Sequence, residues 1–279
     1  MGEMKTILVI NDGTPQCDHA AQFALIIAQK LEANIIMADA CVSNKPKRKL
    51  LAYVEEDAKS FSHSEQEITG HLKELNSSYT GFKPDIKEID ISSFNEVQLA
   101  ELTIREQIWL VIKGMADHSP ATLSKLRFNV NILLNRSRCP VLLVPYHWSL
   151  KPIERLVYIA DLRYCRLQFI RFLAELAKPW SAMVSIANLA ARGLPPMDTN
   201  YATAVFNAEI CVNVAYDKLL LNNIRETDMA KAVDVIINGM HNDILVMVNH
   251  RFHFEEIVGR YITEELPDQI TIPLLIFPY

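Results

Sequence analysis

Pro140-Val141-Leu142-Leu143-Val144-Pro145-Tyr146 returns 133 residues further on as Pro273-Leu274-Leu275-Ile276-Phe277-Pro278-Tyr279. Four consecutive apolar residues, bracketed by prolines and followed by a tyrosine, read as a short strand buried on both faces of a parallel sheet. Two further stretches repeat in the same order. Ile7-Leu8-Val9-Ile10-Asn11-Asp12 is echoed by Leu156-Val157-Tyr158-Ile159-Ala160-Asp161, an apolar run that stops on an aspartate. Ile108-Trp109-Leu110-Val111-Ile112-Lys113-Gly114 is echoed by Asp243-Ile244-Leu245-Val246-Met247-Val248. The offsets are 149, 134 and 133 residues, so the second copy lacks about fifteen residues between its first and fourth strands. Such order and spacing describe a duplicated unit that has since diverged. A chain of 279 residues suits two domains of ordinary size. The expected boundaries are residues 1–146 for the first, 147–152 for a linker and 153–279 for the second.

Within each copy, strands alternate with helices, the pattern of a doubly wound parallel sheet. In the first copy the expected strands lie near residues 6–12, 34–41, 85–91, 108–114 and 141–144. Ala20, Ala24, Ile27, Ala28 and Leu31 mark one apolar face of the first helix. A long helical pattern runs from Arg48 to Leu75, with Val54, Phe61, Ile68 and Leu75 at seven-residue steps. Ser119 and Pro120 are a start signal for the helix carrying Leu123, Leu126, Val130, Leu133 and Leu134. In the second copy Leu167, Ile170, Leu173, Leu176 and Ala177 mark the first helix. A strand follows near Met183 to Asn188, and Pro195-Pro196 interrupt the segment where the first copy has its long helix. A shorter helix is expected over Tyr201 to Tyr216.

The composition narrows the function classes. Half of the residues are apolar, and 28 Lys and Arg face 33 Asp and Glu for a net charge of −5. No basic footprint for nucleic acid is present, and the apolar runs are strand-sized and interrupted by charges, which argues against a membrane span. Five cysteines without CxxC or zinc spacing (Cys17, Cys41, Cys139, Cys165 and Cys211) read as buried free thiols of a cytoplasmic protein.

In an open sheet of strand order 3-2-1-4-5, ligands gather at the carboxyl ends of the first and fourth strands, where the winding reverses. That places Asp12, Gly13, Thr14 and Gly114 at the candidate crevice of the first copy. In the second it places Asp161, with Leu162 and Arg163 behind it, and then Asn249, His250 and Gly259 after the fourth strand. Each aspartate has a structural reading beside the ligand one, as a cap on the turn into its helix. His250 and His253 form an HxxH spacing, but no third ligand is spaced to match, so a solvated loop is the favoured reading over a metal site. No Ser-His-Asp, Cys-His or paired-carboxylate arrangement asks to be called catalytic.

The strand ending in Asp12-Gly13-Thr14, the alanine-rich helix, the strand ending at Gly114 and Cys139-Pro140-Val141-Leu142-Leu143-Val144 together resemble the universal stress protein family. The resemblance extends over both copies. It implies a fold of the adenine nucleotide alpha hydrolase-like kind, two tandem five-stranded parallel sheets, and a cytoplasmic, non-enzymatic stress-response protein. Some members bind adenine nucleotides through a loop after the fourth strand that reads Gly, two residues, Gly, nine residues, then Gly with Ser or Thr. Glycines there let backbone N–H groups approach phosphates at a helix N-terminus. With that spacing, the second and third glycines fall on Asp117 and Arg127, with Phe128 in the Ser/Thr place. In the second copy Val248 stands first, Arg251 takes the second position, and the loop runs two residues short to Gly259-Arg260.

The expectation is therefore a stress-linked binding or signalling protein without bound cofactor or metal and without the family's phosphate loop. The alternative is an ATP or AMP sensor that uses the first domain. Strands 141–144 and 274–277, each otherwise an exposed sheet edge, are expected to pair the two domains. A homodimer, a small ligand or a protein partner complete the expected associations, with no nucleic acid and no membrane.

Overall fold

The structure is a computed structural model that describes residues 4–40, 62–115, 130–226, 228–251, 253–263 and 265–279. It divides into two compact units, Met1–Tyr146 and His147–Tyr279.

The first unit carries β1 (Thr6–Asn11), α1 (Pro15–Leu31), β2 (Asn34–Asp39), α2 (Ser62–Ser78), β3 (Ile86–Asp90), α3 (Glu96–Arg105), β4 (Ile108–Met115), α4 (Val130–Arg136) and β5 (Val141–Pro145). Its strands are parallel and ordered β3-β2-β1-β4-β5. The middles of the central strands are apolar, with Ile7, Leu8, Val9, Leu110, Val111 and Ile112 all buried, because both faces are covered. The β3 strand is mostly exposed instead, burying Ile86 and exposing Lys87, Glu88 and Asp90. α1 starts where Thr14 Oγ1 accepts the Cys17 N–H at 3.2 Å, with Pro15 in its first turn, where no backbone donor is needed. It stops at Glu32, whose left-handed backbone donates its N–H to Ala28 O. α3 opens with a reciprocal cap between Asn95 and Gln98.

The second unit carries β6 (Arg155–Ala160), a 3-10 turn at Leu162–Tyr164, α5 (Leu167–Ala177), β7 (Met183–Asn188), α6 (Thr199–Val205), β8 (Leu219–Asn223), α7 (Met229–Asp234), β9 (Ile244–Val248), α8 (His253–Ile257) and β10 (Leu274–Phe277). α6 and α7 each run on as a wider π-helical turn, Phe206–Cys211 and Val235–Gly239. Its strands are parallel in the order β8-β7-β6-β9-β10.

Strand register shows how closely the halves correspond. Ile7 pairs with Ile35 and Leu110 in the first unit, and Leu156 with Val184 and Ile244 in the second. Val111 pairs with Val141, and Leu245 with Leu274. β1 and β2 match β6 and β7 at one offset of 149, whereas Ile86, opposite Ile35, answers to Leu219, opposite Val184, at 133. The residues missing from the second copy therefore lie between its second and third strands. That is the α2 segment of the first unit.

Several expectations are corrected. Of the seven-residue stripe on the long helix, Ile68 is buried together with Leu72 one turn on, while Leu75 is 37% exposed. Val54, Phe61 and Cys41 lie outside the described residues, as do Asp117, Ser119, Pro120, Arg127 and Phe128. The cysteines are not uniformly buried, since Cys17 and Cys139 are enclosed, Cys165 is half-buried and Cys211 is exposed. The helix expected over Tyr201 to Tyr216 begins at Thr199, and α6 with its π-helical turn ends at Cys211. Among the described residues no helix is long and apolar enough to cross a membrane.

Candidate functional site

In the first unit the end of β1 is knotted to itself. Gly13, with φ of 72°, lets the chain turn back. Its N–H meets Asn11 Oδ1 at 3.1 Å, while Asn11 Nδ2 donates to Asp39 Oδ1 at 2.6 Å on the neighbouring strand. Asp12 Oδ1 accepts from Thr14 N and Thr14 Oγ1 at 3.2 and 2.6 Å. Asp12 thus closes the turn that delivers Thr14 as the helix cap. Gly114, near the end of β4, is a point of close approach: a Cβ there would stand 2.2 Å from Gln16 O. The first turn of α1 lies directly over the strand end because this position carries no side chain.

The second unit answers each feature differently. Asp161, 2% exposed, is claimed on both carboxylate oxygens. Arg163 donates to Oδ1 through N and Nε at 3.1 and 2.8 Å, and to Oδ2 through Nη2 at 2.7 Å. Ala191 N adds a fourth bond to Oδ2 at 2.8 Å. Burial by itself pushes this carboxyl up, but the bonds from Arg163 and Ala191 outweigh it and hold the group below the usual carboxylate range. The position equivalent to Gly114 is Val248. Where α1 begins straight after Thr14, the second unit inserts the 3-10 turn and the extended residues Cys165 and Arg166 before α5 starts at Leu167. The helix thus begins three residues later than its counterpart.

A crevice opens at that place, at the carboxyl ends of β6 and β9. It is narrow, and the space it encloses holds about one or two water molecules. Its apolar wall comes from Ile159, Ala160, Phe169, Met247, Val248 and Phe254, and its polar groups are Tyr158, Asp161, Tyr164, Arg166, Arg251 and His253. The guanidinium of Arg251 lies 4.3 Å from the centre of the Tyr279 ring and that of Arg166 5.4 Å from it. Tyr158 is 2% exposed. Burial raises its hydroxyl pKa, further raised by Cys165 and offset by the positive charges of Arg166 and Arg251. His253 is 3% exposed, and its Nε2 stands 3.0 Å from Leu189 O. A carbonyl only accepts, so Nε2 carries the proton and Nδ1 is a bare acceptor. That atom has no hydrogen-bond partner, with a Glu256 oxygen 3.9 Å away. Burial lowers the pKa of the ring and keeps it neutral.

The candidate residues are thus dispersed. Asp161 reaches the crevice wall, already paired. Asn249 is fully buried and its N–H bonds Phe277 O at 2.9 Å. His250 is exposed, with a left-handed backbone, and Gly259, with φ of 101°, follows the end of α8 and donates its N–H to Phe254 O. His253 is not in a solvated loop, as its spacing suggested, but buried in α8. Among the described residues no group of three or more His, Cys, Asp or Glu side chains is placed to hold a metal ion. Tyr158, Arg166 and Met247 escape a reading by motif. One signal was present: a tyrosine in a strand that is otherwise aliphatic needs a destination for its hydroxyl.

A model of the universal stress protein family matches residues 3–145. A universal stress protein from Archaeoglobus fulgidus DSM 4304 is similar in structure with a TM-score of 0.62, at 12% identity over 99% of both chains. A functionally unknown protein from Pseudomonas aeruginosa PAO1 is similar with a TM-score of 0.52, at 13% identity, covering 98% of this chain and 92% of that one. No curated protein matches the chain in sequence.

Proposed function

The chain belongs to the universal stress protein family, and on that premise we propose that it is a non-catalytic binding protein of stress responses whose ligand site is the crevice of its second half. The observation that carries this reading is the crevice itself. It occupies the position where an open α/β sheet places ligands, it combines an apolar wall with a few converging polar groups, and it includes a buried histidine acceptor without a donor.

Three features support a role without catalysis and without the family's phosphate loop. The crevice wall holds no Ser, Thr or Cys nucleophile. Asp161 is consumed by Arg163 and Ala191, so it has no oxygen to spare for a sugar hydroxyl. After β9, Val248 and Arg251 stand where glycines would expose N–H groups, and a side chain at each of them opposes a close approach by phosphate. The two units serve as two domains, 1–146 and 153–279, joined through residues 147–152. We infer that strands 141–144 and 274–277 shield one another's edges, since an open apolar edge otherwise recruits other chains.

Adenine-nucleotide sensing by the first half, through Asp12, Gly13 and backbone contacts, is the second reading. It is favoured by the family match, which covers that half. Calorimetric titration with ATP, ADP and AMP separates the two. Absence of micromolar binding is expected, and saturable micromolar heat abolished by Gly13→Val would establish the second reading instead.

A further inference from the structure

We propose that the free edge of β8 is a self-association surface, at which the chain pairs with a second copy of itself through antiparallel β8 strands related by a two-fold axis at Leu221. The surface is separate from the crevice and does not depend on it.

β3 and β8 hold equivalent places. Each ends the strand order of its unit, and among the described residues each pairs with a strand on one side only. Glu88, opposite Met37, answers to Leu221, opposite Ile186. β3 reads Ile86-Lys87-Glu88-Ile89-Asp90, with Lys73 Nζ 3.1 Å from a Glu88 oxygen and Lys87 Nζ 3.7 Å from an Asp85 oxygen. An edge armed with charges resists a further strand. β8 reads Leu219-Leu220-Leu221-Asn222-Asn223 and carries no charge. Leu220 is 43% exposed. Lys218, just before the strand, does not guard it, because its Nζ donates to Ser181 O at 2.7 Å.

The hydrogen bonds to β7 fix which backbone groups face outward. Val184 N donates to Lys218 O at 2.9 Å, and Ile224 N donates to Asn188 O at 3.0 Å. Successive residues of a strand alternate in the side to which they bond. Leu220 and Asn222 therefore turn their N–H and C=O groups to β7, while Leu219, Leu221 and Asn223 turn theirs to the free edge. An antiparallel partner pairs outward residues in twos that exchange both bonds. With Leu221 opposite the second copy's Leu221, Leu219 meets Asn223, and every outward residue is used, in about six hydrogen bonds.

The same register, carried two residues past each end of β8, sets Asp217 opposite the second copy's Arg225, twice by symmetry. Both side chains are exposed, and Arg225 Nη2 also reaches Thr199 Oγ1 at 3.3 Å, an uncharged partner. Opposite charges at facing positions favour pairing. A strand of other sequence satisfies the backbone and not these two charge pairs, which is why the occupant is a second copy. β3 in the same arrangement sets Glu88 against Glu88. One edge is thus self-complementary and the other self-repelling.

Sedimentation of the full chain tests the pairing. At submillimolar concentration the parent is expected to be a reversible dimer. Leu221→Glu, which borrows the residue at the equivalent place in β3, is expected to weaken association about tenfold or more. Arg225→Asp and Asp217→Arg each set two like-charge pairs opposite one another and are each expected to weaken it about tenfold. An equimolar mixture of these two variants is expected to regain the parent affinity as a heterodimer, since both facing pairs are then opposite in charge. A monomeric parent overturns the proposal, as does a Leu221→Glu protein that associates as tightly as the parent. If circular dichroism shows that Leu221→Glu does not fold, the two exposed charge variants decide. Single charge variants with undiminished affinity, or a mixture that associates no better than either variant alone, overturn it as well.

Discussion

The two halves share strand register residue for residue, yet the carboxyl ends of their paired strands are finished in opposite ways. In the first, glycine at position 114 lets the opening turn of α1 sit on the strand end, and Asp12 and Thr14 spend their hydrogen bonds on starting that helix. In the second, Val248 stands at the equivalent place, and the chain passes through a 3-10 turn and two extended residues before α5 begins. The lesson is that a sheet can be inherited intact while a single Cβ near a strand end is associated with whether the next helix covers the crevice or leaves it open.

The most damaging way to break the comparison is to give the first half the residue of the second. Gly114→Val forces a branched side chain into the backbone at Gln16 and is expected to cost about 3 kcal/mol, at the upper end of overpacking effects. The reverse change, Val248→Gly, removes a largely buried side chain without a clash and is expected to cost about 2 kcal/mol. Urea unfolding of the two variants checks the order, and a Gly114→Val protein as stable as the parent would remove the steric account.

A second contrast lies at the other end of the same strands. In the first half, the amine of Lys5 lies 5.5 Å from the centre of the Trp109 ring. In the second, Asp243 does the corresponding work with hydrogen bonds. Its Oδ2 accepts from Glu154 N and Arg155 N at 2.8 and 2.9 Å, and its Oδ1 pairs with Lys151. Asp243 is buried, and Asp243→Ala removes the acceptor of two part-buried backbone donors, which is expected to cost about 1 to 2 kcal/mol. Lys151→Ala, which removes the half-exposed partner, should cost under about 1 kcal/mol.

Asp161 sharpens the comparison through pH. Its folded pKa lies below the ordinary carboxylate value of about 4. The stabilisation it contributes is therefore present above that value and is withdrawn as the pH falls through the lower folded one. Asp161→Asn should lose about 1 to 2 kcal/mol at neutral pH, a gap that narrows in acid. A constant gap down to the acid limb would show that the carboxylate charge contributes nothing. Asp12 is a useful control, because its bonds serve the adjacent helix cap instead of an arginine.

The architecture was legible because it is written in runs of like residues. Pro140–Tyr146 and Pro273–Tyr279 located the repeat, and the apolar runs located the central strands, since burial on both faces admits little else. The change of offset also placed the missing segment, which the register narrows to the interval after β2 and β7. The seven-residue stripe was legible in part: Ile68 faces inward with Leu72, while Leu75, in the last turn of α2, is partly exposed. The crevice was legible as a place but not as a set of groups. Asp161 was chosen by its position after a strand, while its capture by Arg163 depends on a 3-10 turn that no local pattern announces. Arg166 lies in the extended link after that turn, and Met247 looks like any other residue of a buried strand. His253 was visible as half of an HxxH spacing, but its burial depends on α8, five residues long and too short for a periodic signal.

The central claim is that the ligand site sits in the second half and that the first half has covered the equivalent place. One spectrum of the methionine methyls, recorded with and without a library of small organic fragments, tests it directly. Met247 lies at the end of β9 and Met115 at the end of β4, both buried. The account predicts that Met247 shifts and Met115 stays where it is. A shift at Met115 with Met247 unmoved would contradict it.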